Sequence, residues 1–289
     1  MQIIDLIKIA RPQQWYKNLM VFLPLVFVGQ LLNKTAITLA IIAFFSLCLV
    51  SSTNYVLNDI IDLQKDKAHP EKKNRPLASG RMKKWQAILE IIVLLSIGLL
   101  IASKLEKLFL YSVIFLFVFT QIYSLFLKKE IFLDILAIAI NFVTRAIAGA
   151  FAINVKISPW LVLCTFFLSL YLSAGKRQAD LLFLREEAAQ HKETLKYYTK
   201  EITQSLLIIS TSLLIMSYGL YSFLSEHKNL LMTLPFALYV ILRYFYLINT
   251  GSEIARHPEK VFKDLRMDLG MLLWGIVTFI IIYLPAFFL

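Results

Sequence analysis

Nine apolar segments constrain the fold of this 289-residue chain more than any other feature. Each is close to the ~20 residues that cross the ~30 Å hydrocarbon core of a bilayer. Only 17% of the residues are charged and the mean hydropathy is +0.69, which is not the composition of a soluble domain. The segments run roughly over residues 15–33, 36–58, 85–103, 107–127, 131–153, 158–177, 202–224, 230–249 and 267–287.

A membrane-spanning segment must satisfy its own backbone hydrogen bonds, and helices do so. We therefore predict an all-α polytopic membrane protein whose nine transmembrane helices form a bundle. No Pro/Gly/Ser-rich linker or long hydrophilic block divides the chain, so a single integral-membrane domain over residues 1–289 is expected.

The connecting loops alternate in charge. One set carries 23 of the 30 Lys and Arg residues: the N-terminus, residues 59–84, Lys128-Lys129, residues 176–201 and residues 250–266. The positive-inside bias predicts a cytoplasmic N-terminus and, with nine spans, a C-terminus outside, in a bacterial-type inner membrane. Attraction to anionic membrane lipids explains part of the net charge of +11. Loops this short and tied to a bilayer argue against nucleic acid binding.

Three aspartates follow directly after the second apolar segment. On a helix, Asn58, Asp59, Asp62 and Asp66 fall within a sector of about 100° and an axial length of about 12 Å. A divalent cation would relieve the repulsion between these acids, and Mg²⁺ holding a phosphorylated substrate suits such oxygen ligands. We predict Asp59, Asp62 and Asp66 as metal ligands. The alternative is a solvated acidic helix end paired with nearby lysines.

Basic residues on the same side predict phosphate binding. Arg75 lies in Asn74-Arg75-Pro76-Leu77, where its guanidinium could bind phosphate bidentately or face lipid headgroups. The sixth segment ends in Lys176-Arg177, and Asp180 shares their helix face. Lys176, Arg177 and Asp180 either take part in substrate binding, or Asp180 forms an ion pair with a basic residue of its own helix.

Two arginines fall inside apolar segments, where a charge costs roughly 2.5–3.5 kcal/mol on insertion scales. Arg145 either contacts substrate phosphate or pairs with a buried acid. Arg243 is expected to extend toward the cytoplasmic end of its span. Asp134 either pairs with one of these arginines or serves the site.

The acidic pattern Asn58-Asp59-x-x-Asp62-x-x-x-Asp66, followed by Asn74-Arg75-Pro76-Leu77, resembles the UbiA prenyltransferase superfamily. Arg11-Pro12 before Trp15 fits the same resemblance. In that superfamily the first acidic motif binds isoprenyl diphosphate through Mg²⁺, and a second motif, Asp-x-x-x-Asp, binds another Mg²⁺ after the sixth helix. This chain departs from the second motif, because Leu184 stands where an Asp is expected after Asp180.

That departure resembles one branch, the polyprenyl-phosphate phosphoribosyltransferases of the decaprenyl-phosphate type. Residues Arg11 to Asn18 are similar to the branch pattern Arg-Pro-x-Gln-Trp-x-Lys-Asn. Lys176-Arg177 with Asp180 is similar to Lys-Arg-x-x-Glu, and residues 191–199 are similar to His-Arg-x-x-Leu-x-x-Tyr-Thr. The resemblance extends from Arg11 to about Arg266 and implies a UbiA-like bundle.

The resemblance implies transfer of 5-phosphoribose from phosphoribosyl pyrophosphate to a decaprenyl-like polyprenyl phosphate. Pyrophosphate would be released, and the product would be a lipid-linked pentose for cell-envelope glycan synthesis. Mg²⁺ on the acidic cluster would hold the diphosphate, while fixed cations would hold the 5-phosphate and the lipid phosphate. The expected catalytic residues are Lys17, Asp59, Asp62 and Arg177, and the expected substrate-binding residues are Asn18, Asn58, Asp66, Arg75, Lys128, Arg145, Lys176 and Asp180.

Two other functions stay open. A UbiA-type aromatic prenyltransferase acting on 4-hydroxybenzoate or a quinone precursor would need a second carboxylate-rich motif, which is incomplete here. A transporter would place charged or broken helices at the bilayer midplane in two related halves, whereas these acids lie at a helix end and no halves match. The sequence specifies no oligomeric state.

Overall fold

The computed structural model describes residues 3–68, 72–184, 193–227, 229–257 and 263–284. Its α-helices are α1 (Ile3–Ala10), α2 (Leu23–Phe27), α3 (Lys34–Ile61), α4 (Leu63–Ala68), α5 (Lys84–Ala102), α6 (Lys107–Leu125), α7 (Leu133–Ala152), α8 (Pro159–Leu184), α9 (Lys200–Leu224), α10 (Leu234–Asn249), α11 (Glu253–Arg256) and α12 (Leu265–Tyr283). Short 3₁₀ helices cover Pro12–Phe22, Lys72–Asn74, Leu127–Lys129, Glu193–Lys196 and Leu230–Thr233.

Eight helical segments of the described residues are long and apolar enough to cross a membrane. They are Lys34–Ile61, Lys84–Ala102, Lys107–Leu125, Leu133–Ala152, Pro159–Phe183, Lys200–Leu224, Leu230–Asn249 and Leu265–Tyr283. The predicted all-α, multi-pass fold is confirmed, and nine is an approximate count of its spans.

The first predicted span, residues 15–33, differs from a regular α-helix. Eleven residues of 3₁₀ helix (Pro12–Phe22) lead into five residues of α-helix (α2), and each part has a proline in its first turn. A 3₁₀ helix rises about 2.0 Å per residue and an α-helix about 1.5 Å, so this stretch is about 30 Å long. That length matches the hydrocarbon core of a bilayer.

The packing of this stretch shows how far it extends along α3. Ile9, just before it, packs with Val56 toward the C-terminal end of α3. Leu25, within α2, packs with Ala36 and Ala40 near the N-terminal end of α3. The stretch therefore runs antiparallel to α3 over most of the length of that helix, as a ninth span would.

The chain divides into two compact units. The first comprises residues 1–125 and 144–157, and the second comprises residues 126–143 and 158–289. The first unit is centred on α3, whose small and aliphatic residues pack against α5, α6 and the 3₁₀ helix. The core of this unit includes Val21, Ala43, Leu47, Val50, Phe109, Val113, Leu116 and Ala148.

The second unit packs α8 against α9 and α10, and α10 against α12. Its core includes Tyr171, Ala179, Leu207, Tyr244, Leu247, Ile248 and Met267. In both units large apolar side chains such as Leu100 (63% exposed) and Phe223 (71% exposed) remain on the surface. Such a surface is stable in lipid and would aggregate in water.

Glycines permit the closest approaches between elements. A methyl group on Gly149 of α7 would lie 2.1 Å from the Val21 carbonyl oxygen, so only glycine allows this contact with the 3₁₀ helix. In the second unit, a Cβ on Gly175 of α8 would lie 2.4 Å from the Ile248 side chain. Small residues at such crossings are typical of helix packing in membranes.

Candidate active site

The acidic cluster lies at a break in the helix. Helix α3 ends at Ile61, Asp62 forms its C-cap, and α4 begins at Leu63. The backbone N–H of Asp62 donates to the Asn58 carbonyl at 2.9 Å, and that of Asp66 donates to the Asp62 carbonyl at 2.8 Å. These i to i−4 bonds keep the helical register, so the predicted spacing of the acids is preserved across the break.

Arg75 joins two of these acids. Its Nη1 donates to Asp59 Oδ1 at 3.0 Å and to Asp66 Oδ2 at 2.6 Å. Both carboxylates are buried, with Asp59 2% and Asp66 3% exposed. The turn that carries Arg75 is ordered by its own backbone bonds, including Ser79 N–H to the Arg75 carbonyl at 2.9 Å and Met82 N–H to the Pro76 carbonyl at 3.0 Å.

Arg11 is a further member of the cluster. It donates from Nη2 to Asp59 Oδ1, and its guanidinium carbon lies 5.3 Å from the centre of the Tyr55 ring. Its φ of +52° is left-handed, a conformation that costs a non-glycine residue roughly 1–2 kcal/mol. Burial lowers the pKa of Arg11 from its ordinary value, and the charge of Asp59 opposes that change. Strained residues of this kind concentrate at functional sites.

Two carboxylates of the acidic cluster could hold Mg²⁺. Among the described residues no group of three His, Cys, Asp or Glu side chains converges on one point. Asp59 and Asp66 nevertheless direct carboxylate oxygens at the same cationic nitrogen of Arg75. Mg²⁺ is commonly bound through one or two carboxylates, with substrate phosphates and water completing its octahedron. The position between Asp59 and Asp66 therefore fits Mg²⁺ by charge and by ligand type.

A second polar cluster surrounds Asn18 in the first unit. Asn18 Oδ1 accepts from Arg145 Nε at 2.8 Å and from Ser51 Oγ at 3.3 Å, while its Nδ2 donates to Cys48 Sγ at 3.3 Å. Asn18 is 1% and Arg145 is 7% exposed. The buried guanidinium of Arg145 thus has a neutral amide oxygen as a hydrogen-bond acceptor. A buried cation in such surroundings is a candidate for binding an anion.

The predicted basic motif of the second unit lies on α8. Arg177 Nε and Nη2 both donate to Asp134 Oδ2, at 3.1 and 2.9 Å, and the Tyr198 hydroxyl donates to Asp134 Oδ1 at 2.7 Å. Burial raises the pKa of the Tyr198 phenol, and the hydrogen bond to Asp134 raises it further. Tyr198 therefore remains a neutral donor at physiological pH. The sequence suggests Arg145, Arg243 or the active site as the partner of Asp134. The structure shows Asp134 paired with Arg177, which the sequence does not suggest.

Two other acids of the second unit also pair with arginine. Asp180 Oδ1 accepts from Arg256 Nε at 3.3 Å, and Arg256 also lies 3.8 Å from the centre of the Phe183 ring. Asp264 caps α12 and accepts from Arg243 at 3.2 and 2.7 Å, which lowers the pKa of Asp264. Arg243 thus pairs with an acid just before the neighbouring helix α12.

A model of the UbiA prenyltransferase family matches residues 20–285 of the chain. The chain belongs to the UbiA prenyltransferase family. The decaprenyl-phosphate phosphoribosyltransferase of Mycolicibacterium smegmatis is 34% identical over 288 residues, which cover 93% of this chain and 89% of that protein. The decaprenyl-phosphate phosphoribosyltransferase of Corynebacterium glutamicum is 30% identical over 296 residues, covering 98% and 88%.

The fold of this UbiA-family chain is similar to a solved structure of a UbiA homologue from Archaeoglobus fulgidus bound to DMAPP and Mg²⁺. The TM-score is 0.74 at 17% sequence identity, over 96% of this chain and 99% of the other. The predicted family and branch are confirmed. The protein is accordingly a multi-pass membrane transferase.

The structure places the predicted site residues of this UbiA-family chain in two sets. In the first unit Asp59, Asp66 and Arg75 are in contact, Asn58 and Asp62 are half-buried at the helix end, and Asn18 binds Arg145. Lys17 is half-buried, with its Nζ 5.8 Å from the centre of the Tyr16 ring.

In the second unit Arg177 is buried and Asp180 is half-buried in its ion pair with Arg256, while Lys128 is half-buried in the 3₁₀ helix Leu127–Lys129. Lys176 is half-buried and forms no hydrogen bond or ion pair with any residue that the structure describes. His191 and Lys192 of the branch motif, and the side chain of Leu184, lie outside the described residues.

Proposed function

We propose that this protein transfers the 5-phosphoribosyl group of phosphoribosyl pyrophosphate to a polyprenyl phosphate and releases pyrophosphate. The observation that carries the proposal is the difference between its two polar motifs. In the first motif, Asp59 and Asp66 both contact one nitrogen of Arg75. The second motif contains two basic residues, Lys176 and Arg177, and one acid, Asp180, which is paired with Arg256. The names of the relatives support the same reaction.

The residues of the first unit suit the donor diphosphate. Asp59, Asp66 and the half-buried Asp62 would hold Mg²⁺, which when bound neutralises the diphosphate and stabilises it as a leaving group. Arg75 and Arg11 already lie against Asp59, and a guanidinium can donate to a carboxylate and a phosphate at the same time. These two arginines would orient the diphosphate and add fixed positive charge beside the carboxylates.

The other cations suit the remaining phosphates. Phosphoribosyl pyrophosphate carries a separate 5-phosphate, and the acceptor is itself a phosphate ester. We propose that Lys176, Lys128 and Lys17 bind these groups as point charges, and that Arg145, oriented by Asn18, contacts an anionic group of the substrate. An enzyme that prenylates an aromatic ring binds one diphosphate and no phosphorylated acceptor, so it would need fewer phosphate-binding cations.

The reaction itself requires little acid–base chemistry. An oxygen of the lipid phosphate attacks C1 of the ribose and forms a new C1–O bond. The bond from C1 to the diphosphate oxygen breaks, and pyrophosphate leaves with the bonding electrons. Because a lipid phosphate is already ionised at neutral pH, no general base has to remove a proton from the nucleophile.

The acceptor lipid places this chemistry at the membrane surface. We propose that the polyprenyl tail lies among the apolar helices and that the polar residues face the cytoplasm, with the N-terminus inside and the C-terminus outside a bacterial plasma membrane. The charge distribution of the loops supports this orientation. The product would be a lipid-linked pentose phosphate for envelope glycan synthesis.

Purified protein, reconstituted with Mg²⁺, phosphoribosyl pyrophosphate labelled in the ribose and polyprenyl phosphates of several lengths, tests the proposal. We expect label in the organic phase only when both substrates are present, together with release of pyrophosphate. A parallel reaction with a prenyl diphosphate and 4-hydroxybenzoate tests the aromatic prenyltransferase alternative. Prenylated acid without any phosphoribose transfer would refute our proposal.

A further inference from the structure

Asp134 is the centre of a buried hydrogen-bond network in the second unit. The Asp134 network consists of Asp134, Arg177, Tyr198 and the backbone N–H of Phe132. Arg177 donates two hydrogen bonds to one carboxylate oxygen of Asp134, and Tyr198 donates one to the other oxygen. Asp134 is fully buried, Tyr198 is 3% exposed and Arg177 is 5% exposed.

Phe132 ties this network to a strained turn. Its backbone N–H donates to the Tyr198 hydroxyl at 3.1 Å, and its ring meets the Tyr198 ring edge to face at 6.1 Å. The φ of Phe132 is +65°, which is unfavourable for an aromatic residue. Such a conformation persists only where neighbouring contacts stabilise it, and Tyr198 supplies two of those contacts.

The network also fixes the chain that precedes α9. Thr194 (0% exposed) and Leu195 (4% exposed) are buried, and the 3₁₀ helix Glu193–Lys196 packs against the 3₁₀ helix Leu127–Lys129. Tyr198 of this segment donates a hydrogen bond to Asp134. One side chain thus links the segment 193–199 to α7 and, through the carboxylate of Asp134, to Arg177 on α8.

We propose that Arg177 is a positioning residue. Acting through Asp134 and Tyr198, it holds the segment 193–199 closed against residues 127–132, and it does not itself bind phosphate. That Arg177 does not bind the substrate phosphate rests on the proposed function, whereas the closure of the segment 193–199 is independent of it. This role replaces the direct phosphate contact expected of Arg177 from the sequence.

Electrostatics favour the positioning role. Withdrawing Arg177 toward a phosphate would break its two hydrogen bonds to the Asp134 carboxylate and separate two opposite charges that are both buried, which is strongly unfavourable in a low-dielectric interior. The adjacent Lys176 has no such commitment, because it is half-buried and forms no ion pair with the described residues. Within the Lys176-Arg177 motif, Lys176 therefore makes the phosphate contact and Arg177 maintains the local structure.

A cysteine at the buried position 194 tests the closed segment directly. In a Thr194→Cys chain without substrate, the thiol reacts with a maleimide only when the segment opens. Adding Tyr198→Phe should raise the labelling rate roughly ten- to hundred-fold, the factor expected for one lost hydrogen bond to a carboxylate. Tyr197→Phe is the matched control, since Tyr197 is 59% exposed, and it should leave the rate unchanged. Equal rates in the two tyrosine variants would overturn the proposal.

Binding of phosphoribosyl pyrophosphate separates the two roles of the basic motif. Lys176→Gln should weaken equilibrium binding at least tenfold while position 194 stays protected. The double variant Asp134→Asn/Arg177→Gln exchanges the buried ion pair for two neutral amides, which can still hydrogen-bond to each other and to Tyr198. It should therefore keep the segment closed and bind within about threefold of the parent. A double variant that keeps position 194 protected yet loses binding would show Arg177 to be a phosphate ligand and refute our assignment.

The two proposals fail in different ways. If the parent chain itself does not bind phosphoribosyl pyrophosphate, the proposed function is wrong, but the labelling experiment still decides whether the Asp134 network closes the segment. If the parent binds and the Tyr198→Phe chain labels slowly, only the positioning role is wrong. Arg177→Gln alone is not needed for either decision, so poor folding of that variant does not affect the test.

Discussion

Two guanidinium groups and one carboxylate determine what a substitution at Asp59 will do. Arg11 and Arg75 both donate to Asp59 Oδ1, and Arg75 also donates to Asp66. Exchanging the Asp59 carboxylate for an amide keeps its size but removes its charge. The two half-buried arginines would then lose their shared acceptor, Arg75 would keep Asp66, and a predicted metal ligand would be lost.

Asp59→Asn and Asp62→Asn should each reduce phosphoribosyl transfer by at least about 100-fold, because losing one ligand of a metal–diphosphate site removes several kcal/mol of charge stabilisation. Transfer at saturating substrate, measured over a range of Mg²⁺ concentrations, gives the readout. Glu106→Gln, which changes an exposed acid in another loop, is the control and should keep full activity. Near parental activity of both aspartate variants at limiting Mg²⁺ would rule out the metal role.

Asn18 offers a second test, which measures stability. Asn18→Ala removes the amide oxygen that accepts from Arg145 and Ser51, and should destabilise the protein by roughly 1.5–3 kcal/mol because one donor is charged and buried. Ser51→Ala removes only the 3.3 Å bond and should cost less than half as much. Thermal unfolding in one detergent, followed by tryptophan fluorescence, compares the two. Equal midpoints would show that Asn18 does not support Arg145.

At the scale of residues, the sequence predicts which acids cluster on one helix, but it does not predict which distant side chains they contact. The spacing of Asn58, Asp59, Asp62 and Asp66 is a local property of one helix, so the acidic cluster could be predicted. Arg11 lies 48 residues from Asp59, and Arg177 lies 43 residues from Asp134. No periodic pattern encodes contacts over such distances, so the sequence marks Arg11 only through its family motif.

At the scale of elements, the stretch Pro12–Phe27 is the most informative. Hydropathy predicts a span over residues 15–33, but Pro24 inside this span interrupts a long regular α-helix. The 3₁₀ geometry compensates, since it covers more distance per residue. Hydropathy windows measure how apolar a segment is and not its rise, so the span could be predicted and its helix type could not.

The contact between this stretch and α7 depends on one glycine. A Cβ at Gly149 would lie 2.1 Å from the Val21 carbonyl oxygen, and no side-chain rotation can relieve a clash with backbone. Gly149→Ala should therefore displace the 3₁₀ helix and destabilise the protein by several kcal/mol, beyond the usual 1–3 kcal/mol of overpacking. The expected readouts are a lower unfolding midpoint and faster proteolysis near residues 12–22.

Gly219 provides the matched control for this glycine. A Cβ there meets no atom within 4 Å, so Gly219→Ala should be neutral or should stabilise α9 by up to about 1 kcal/mol through helix propensity. If both alanine variants unfolded at the same temperature, the close approach of Gly149 to Val21 would not contribute to stability.

At the scale of the whole molecule, the charge pattern and the first span together determine the topology. Eight long helices alone would place both termini on the same side of the membrane, whereas a ninth crossing by residues 12–27 places them on opposite sides. The loop charges favour the second arrangement, because Lys8 and Lys73 belong to the basic set and Lys34 and Lys104 to the other. The four lysines are exposed, so each can be replaced without disturbing the core.

Single cysteines at these four positions decide between the two arrangements. Lys8→Cys and Lys73→Cys should react with a membrane-impermeant maleimide only after the cells are opened, while Lys34→Cys and Lys104→Cys should react in intact cells whose outer envelope admits the reagent. The parent chain, in which Cys48 is buried and Cys164 half-buried, gives the background. Labelling of Lys8→Cys and Lys34→Cys from the same side would show that residues 12–27 do not cross the membrane. In that case the number of crossings would be eight, and the C-terminus would lie on the same side as the N-terminus.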